Sequence, residues 1–160
     1  EVTGSTNVAC GYSHSGKLVP DTNSRYYWQT DEYFTLPYGH LRMFDVSDLK
    51  HPKLISHLML PETTDSTITY AQRTASTHLG NMWDKNRLFL AYYGLGVKAI
   101  NLSNPKHPYL DGTYSFTIND GNGGQAVYDV IFDHKGNLVV TDSIDGVRIL
   151  KYTGPGSPLK

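Results

Sequence analysis

The feature that most constrains this chain is that it matches itself. Displaced by 50 residues, NRLFLAYYGLGVKAINL (Asn86 to Leu102) falls on GNLVVTDSIDGVRILKY (Gly136 to Tyr152) without a gap. Leu88 meets Leu138, Leu90 meets Val140, Gly96 meets Gly146 and Ile100 meets Leu150. Displaced by 56 residues, LRMFDVSDLKHP (Leu41 to Pro52) falls on VKAINLSNPKHP (Val97 to Pro108). One strand-like segment therefore occurs three times, beginning at Leu41, Val97 and Val147. Self-similarity at a period of this size is the mark of a repeat architecture.

Each copy has the same local logic. RLFLAYY and NLVVTDS are short runs of apolar, β-branched and aromatic residues, which suit strands. A glycine-bearing turn follows, GLG in one copy and IDG in the other, and Asp145-Gly146 is a strong hairpin signal. The next strand, GVKAINL or GVRILKY, runs into a Ser/Asn/Pro turn and then a further strand, KLISHLML (Lys53 to Leu60) or YLDGTYSF (Tyr109 to Phe116). Ahead of each hairpin lies one more candidate, THLGNMW (Thr77 to Trp83) or AVYDVIF (Ala126 to Phe132). Gly, Pro and Asn interrupt every run before a helix can nucleate. Four short antiparallel strands in about 50 residues, repeated, predict an all-β chain of propeller blades. A sandwich is the alternative, but it does not require strands that repeat in sequence.

The predicted organisation is a single partial β-propeller domain over 1–160, with blade one at about 8–60, blade two at about 76–116 and blade three at about 126–152. The last copy lacks its outer strand: KYTGPGSP (Lys151 to Pro158) ends the chain. Complete propellers have at least four blades, so the expectation is an incomplete ring. Its remaining blades would come from a longer parent chain or from other chains.

Totals exclude some classes of function. Lys and Arg number 14 against 15 Asp and Glu, a formal net charge of −1, which argues against a broad nucleic-acid surface. No apolar run approaches the roughly 20 residues of a membrane-spanning helix. The one cysteine, Cys10, cannot form a disulfide within the chain. The chain starts Glu1-Val2, which fits a processed protein or a fragment.

Candidate chemistry is sparse. None of the seven histidines shows HxxxH or HxH spacing, and CxxC, P-loop, GxSxG and dinucleotide fingerprints are missing. His51 and His107 are repeat equivalents in an outer turn and read as solvated; His134, in DHKGN, reads likewise. His78 stands at the start of an inner-strand candidate, with Tyr128 as its repeat equivalent. Histidines from several blades can converge there on a metal. It is therefore a weak metal candidate, and no second histidine is assignable beside it. Asp129 and Asp142 are further polar residues of inner strands or a channel-side turn, but their spacing does not demand an acid–base pair. NDGNGG (Asn119 to Gly124) lacks the later oxygens and Glu of an EF-hand. It reads as a connection between blades. The sequon NLS (Asn101 to Ser103) is a weak glycosylation signal. SRYYWQTDEYFTLPYG crowds aromatics around Tyr27 and Trp28, either sealing a blade or presenting a contact patch.

LRMFDVSDLKHPKLISHL and VKAINLSNPKHPYLDGTY resemble the LVIVD repeat, an apolar strand of the type L-x-V-x-D-[IV]-S-[DN]-P-x-x-P followed by another strand. The stretch STHLGNMWDKNRLFLAYYGLGVKAINLSNPKHP is similar to its most typical form, including the paired tyrosines Tyr92 and Tyr93. The resemblance covers roughly Leu41 to Tyr152. Asn101 replaces the usual Asp and Leu49 the usual Pro. The family implies a β-propeller, often bacterial or archaeal and often extracytoplasmic, with a biochemical role mostly unassigned. The expected function is a non-catalytic binding or scaffold module in a larger periplasmic, cell-surface or secreted assembly, without nucleic acid or membrane insertion. The alternative is a metal-dependent enzyme or metalloprotein with its site at the central channel. No cofactor is specified. The candidate contact residues are His78, Tyr92, Tyr93, Tyr128, Asp142, Tyr27 and Trp28.

Overall fold

The computed structural model describes residues 12–67, 76–115, 126–143 and 145–157. Within them the chain is all-β. Sheet one contains β1 (Ser13–Leu18), β2 (Tyr26–Asp31), β3 (Leu41–Asp45) and β4 (Lys53–Leu58). Sheet two contains β5 (Gly80–Asp84), β6 (Arg87–Ala91), β7 (Val97–Asn101) and β8 (Tyr109–Tyr114). Sheet three contains β9 (Val127–Phe132), β10 (Leu138–Asp142) and β11 (Gly146–Leu150). Every pairing is antiparallel and joins chain neighbours, so each sheet is an open meander. One short 3-10 turn, Pro61–Thr63, is the only helical element among the described residues, and no helix is long and apolar enough to cross a membrane. NDGNGG, Cys10 and residues 68–75 lie outside the described residues.

The strand period explains how the sheets pack. Side chains alternate faces along a strand, and β6 and β7 are buried at every position. Leu88, Leu90 and Ile100, with Tyr92 and Leu102 just beyond the strands, pack on Trp28, Leu41 and Met43 of sheet one. The alternate residues Phe89, Ala91, Val97 and Ala99 pack on Val127, Val130, Leu138 and Val140 of sheet three. Sheet two is thus covered on both faces. The outer face of sheet three carries exposed apolar residues, whereas that of sheet one holds the buried Gln29, Arg42 and Phe44. Across sheet three, Ile131, Val139 and Ile149 stand side by side, with Ile131 47% and Ile149 61% exposed.

The repeated Lys-His-Pro turn shares its Asx-type bonds in both copies. Asp45 Oδ1 accepts from the Ser47 amide and hydroxyl at 3.0 and 2.6 Å. Asn101 Oδ1 accepts from Ser103 at 2.9 and 2.7 Å. Lys50 N donates to Asp48 Oδ1 and Lys106 N to Asn104 Oδ1. Asp and Asn exchange because these shared bonds need only an Oδ1 acceptor, which both supply; Asp48 Oδ2 meets His51 Nδ1 at 2.8 Å in addition. His51 and His107 are exposed on these turns.

The hairpin glycines are equivalent in sequence but not in surroundings. Gly96 and Gly146 have φ of 79° and 77°, where any Cβ costs roughly 1–2 kcal/mol. A Cβ on Gly96 would sit 1.9 Å from the Tyr114 carbonyl oxygen, whereas one on Gly146 would meet nothing within 4 Å. Gly96→Ala is therefore expected to cost roughly 2–3 kcal/mol and Gly146→Ala about 1 kcal/mol. Urea denaturation of the two variants measures both, and equal losses would contradict the packing at Gly96.

Candidate functional site

The first strands of the three sheets bring their chain-entry ends together. His14 lies on β1, His78 two residues before β5, and Tyr128 on β9. THLGNMW does not begin as a regular strand at Thr77. Instead, His78 N donates to Ala91 O at 2.9 Å, Ala91 N to Leu79 O at 2.9 Å, and Leu79 N to Tyr128 O at 3.3 Å. These bonds tie the segment to β6 and to sheet three and fix the His78 backbone. Glu32, just past β2, is anchored by its amide to Tyr12 O at 2.8 Å. Tyr93, just past β6, has φ of 41°, an uncommon conformation for a residue with a Cβ. It is held by Val127 N and Gly96 N, which donate to its carbonyl.

The side chains meet in one cluster. The His14 and His78 rings are 4.5 Å apart between centroids, and His78 lies 5.0 Å from Tyr93 and 5.6 Å from Tyr128. His14 Nδ1 is 3.3 Å from Glu32 Oε2, and His78 Nε2 is 3.9 Å from Glu32 Oε1. The Tyr93 hydroxyl donates to Glu32 Oε1. Burial first, and then Glu32, push the Tyr93 phenol above its ordinary pKa. One ligand atom from each of His14, Glu32 and His78 lies within 4.8 Å of the other two. Such a set can hold a proton, a water or a cation.

A second polar cluster lies on the outer face of sheet one, where the register aligns Gln29, Arg42 and His57. The Arg42 guanidinium donates to Asp31 Oδ2 and approaches His40 Nε2 at 2.8 Å. Gln29 Nε2 donates to Asp31 Oδ1 at 2.6 Å, and His40 Nδ1 meets His57 Nε2 at 2.7 Å. Asp31, His40 and Arg42 are buried. Burial, with His57 and Arg42 adding positive charge nearby, pushes His40 down to about 4.

Of the residues singled out from sequence, His78, Tyr93 and Tyr128 come together. Trp28 and Tyr92 do not join them: both are fully buried between sheets one and two, so neither offers a contact surface. Neither side chain's polar atom finds a partner among the described residues. Tyr27 sits on the opposite face of sheet one, 6.4 Å from Phe44 between ring centroids. Asp142 is buried and accepts from Arg148 Nε at 3.2 Å and from the Asp145 amide at 3.0 Å, which gives it a turn-holding role. Asp129 Oδ1 accepts from the Val130 amide. The sequence reading missed His14 and Glu32. A faint signal for His14 existed: His-x-Gly occurs at His14–Gly16 and at His78–Gly80, although also in the turn at His134–Gly136. Gly16 and Gly80 pass close to the neighbouring strand, where a Cβ would lie 2.6 Å from Trp28 O and 2.8 Å from Phe89 O.

Together these features define an all-β protein of stacked antiparallel sheets with a His/Glu/Tyr cluster at the entry ends of the first strands. No protein-family model matches this chain, and no curated protein matches it.

Proposed function

We propose that this chain is a non-catalytic binding or scaffold module of the LVIVD-repeat type. Its three sheets would be consecutive blades of a β-propeller, and it would work as a component of a larger extracytoplasmic assembly. The observation that carries this reading is the exposed apolar row on the outer face of sheet three, set against a sheet two that is covered on both faces. Sheet two buries apolar rows on both sides. The outer face of sheet one carries the register row Leu18, Tyr27, Phe44 and Leu54, of which Leu18 and Leu54 are exposed and Phe44 is buried. Sheet three presents the row Ile131, Val139 and Ile149. Apolar sheet faces of this kind favour burial against a further sheet. Further blades, from the parent chain or from another chain, are the matching occupants, because they would repeat the packing already seen on sheet two.

Light scattering on the purified 160-residue chain is the test. The isolated chain is expected to self-associate, and Ile131→Lys with Ile149→Lys is expected to reduce that association. A monodisperse 17.9 kDa monomer with ordinary cooperative stability would remove the basis for missing blades.

A further inference from the structure

The His14–Glu32–His78 cluster is arranged as a ligand set in which His78 and Glu32 already have outer contacts. The His78 ring settles its own tautomer. Its Nδ1 lies 2.6 Å from the Tyr128 carbonyl oxygen, and a carbonyl can only accept, so Nδ1 carries the proton. In the neutral ring, Nε2 then bears a lone pair directed to the Glu32 side. A histidine whose far nitrogen donates to a backbone carbonyl is the usual second shell of a metal-binding imidazole, because that bond fixes the ring and raises its basicity. Glu32 has the same support, since the Tyr93 hydroxyl donates to Oε1. Two rings and a carboxylate, from three separate segments, thus lie together, with His78 and Glu32 each held by a neighbour outside the set.

The spacing suits a small divalent ion. Ligand atoms about 2.0–2.2 Å from zinc at tetrahedral angles lie roughly 3.3–3.6 Å apart. His14 Nδ1 and Glu32 Oε2 are at 3.3 Å and His78 Nε2 and Glu32 Oε1 at 3.9 Å. These two distances run to different Glu32 oxygens; with one atom from each residue the set lies within 4.8 Å, so side-chain rotation must draw it together around an ion. His14, Glu32 and His78 keep 30%, 25% and 19% of their side-chain surface exposed. An ion therefore has an entry path and room for a water or an outside ligand.

We propose that His14, Glu32 and His78 form a binding site for a divalent first-row transition ion, with at least one coordination position left open. Two imidazoles and one carboxylate select zinc, iron or copper over magnesium or calcium, which prefer all-oxygen sets. Tyr93 is a positioning residue that acts through Glu32. The site does not depend on the missing-blade reading, because all three ligands belong to this chain.

Calorimetric titration of the EDTA-treated chain with zinc chloride tests it. One equivalent per chain is expected, with a rise in melting temperature. His14→Ala, His78→Ala and Glu32→Gln should each weaken binding at least about tenfold, and Tyr93→Phe roughly tenfold through the second shell. His51→Asn, on an exposed turn, should bind as the parent does. Melting in EDTA reports whether each variant still folds. Should one not fold, zinc-edge X-ray absorption on the parent decides, with a first shell of two imidazoles expected. No saturable zinc uptake would overturn the site, as would stoichiometric binding that survives His14→Ala and His78→Ala, or a first shell without imidazole.

Discussion

Arg42→Ala is expected to cost about 3–5 kcal/mol of unfolding free energy. Arg42 and Asp31 are 3% and 2% exposed, and the guanidinium is the cation facing Asp31 Oδ2. Truncation would leave the carboxylate in the interior with Gln29 Nε2 at 2.6 Å and His40 Nε2 at 3.0 Å as its side-chain neighbours and no full cation beside it. It would also remove the contact to His40 Nε2 at 2.8 Å. An uncompensated buried charge, rather than the pair's own attraction, sets the size of the loss. Adding Asp31→Asn to Arg42→Ala should therefore recover a large part of it. Arg25→Ala provides the contrast. Its ion pair with Asp45 is at 2.9 Å but the Arg25 side chain is 54% exposed, so less than about 1 kcal/mol should be lost. Urea denaturation of the variants decides. A loss under about 1 kcal/mol for Arg42→Ala would mean that Asp31 is solvated.

Acidification from pH 7 to pH 4 is expected to drain stability through His40. Its folded-state value is about 4 against 6.5 for a free imidazole, chiefly because burial disfavours the charged ring. Between those values the unfolded chain takes up a proton that the folded chain does not, so stability falls as pH falls. The contribution is complete above about pH 6.5 and is spent near pH 4, on the order of 3 kcal/mol in all. His57 is lowered too, again mainly by burial, and acts in the same direction. His40→Gln should flatten the profile in this window whatever it does to stability at pH 7. Melting temperature against pH, for parent and variant, measures it. Parallel curves would show that His40 does not govern the acid limb. Asp45, held down to about 2 mainly by Ser47, titrates below this range and does not confuse the reading.

Much of the fold was legible because it depends on local rules. Period-two alternation, glycine at positive φ and Asx-type turns act over two to five residues, and a repeat displays them several times. β6, β7, β10 and β11 follow from the copies that begin at Val97 and Val147. β5 starts late because His78 and Leu79 use their backbone groups to join β6 and sheet three, which no local pattern encodes. The cluster was legible in part. His78, Tyr93 and Tyr128 stood out from repeat logic. His14 did not, because its His-x-Gly lies 64 residues before the next copy, a spacing that neither the 50- nor the 56-residue displacement exposes. Glu32 carried no signal at all.

By itself, then, the sequence determined strands, hairpins and the choice of antiparallel sheets, since these arise from backbone sterics and side-chain alternation between near neighbours. Tertiary structure decided which of two adjacent tyrosines is buried core and which faces the cluster. It also decided that Arg42, His40 and Asp31 share one buried site, and that His14, Glu32 and His78 converge. Those outcomes depend on register between strands and on how one sheet stacks on the next. A one-residue change in either would turn the same side chains to the opposite face.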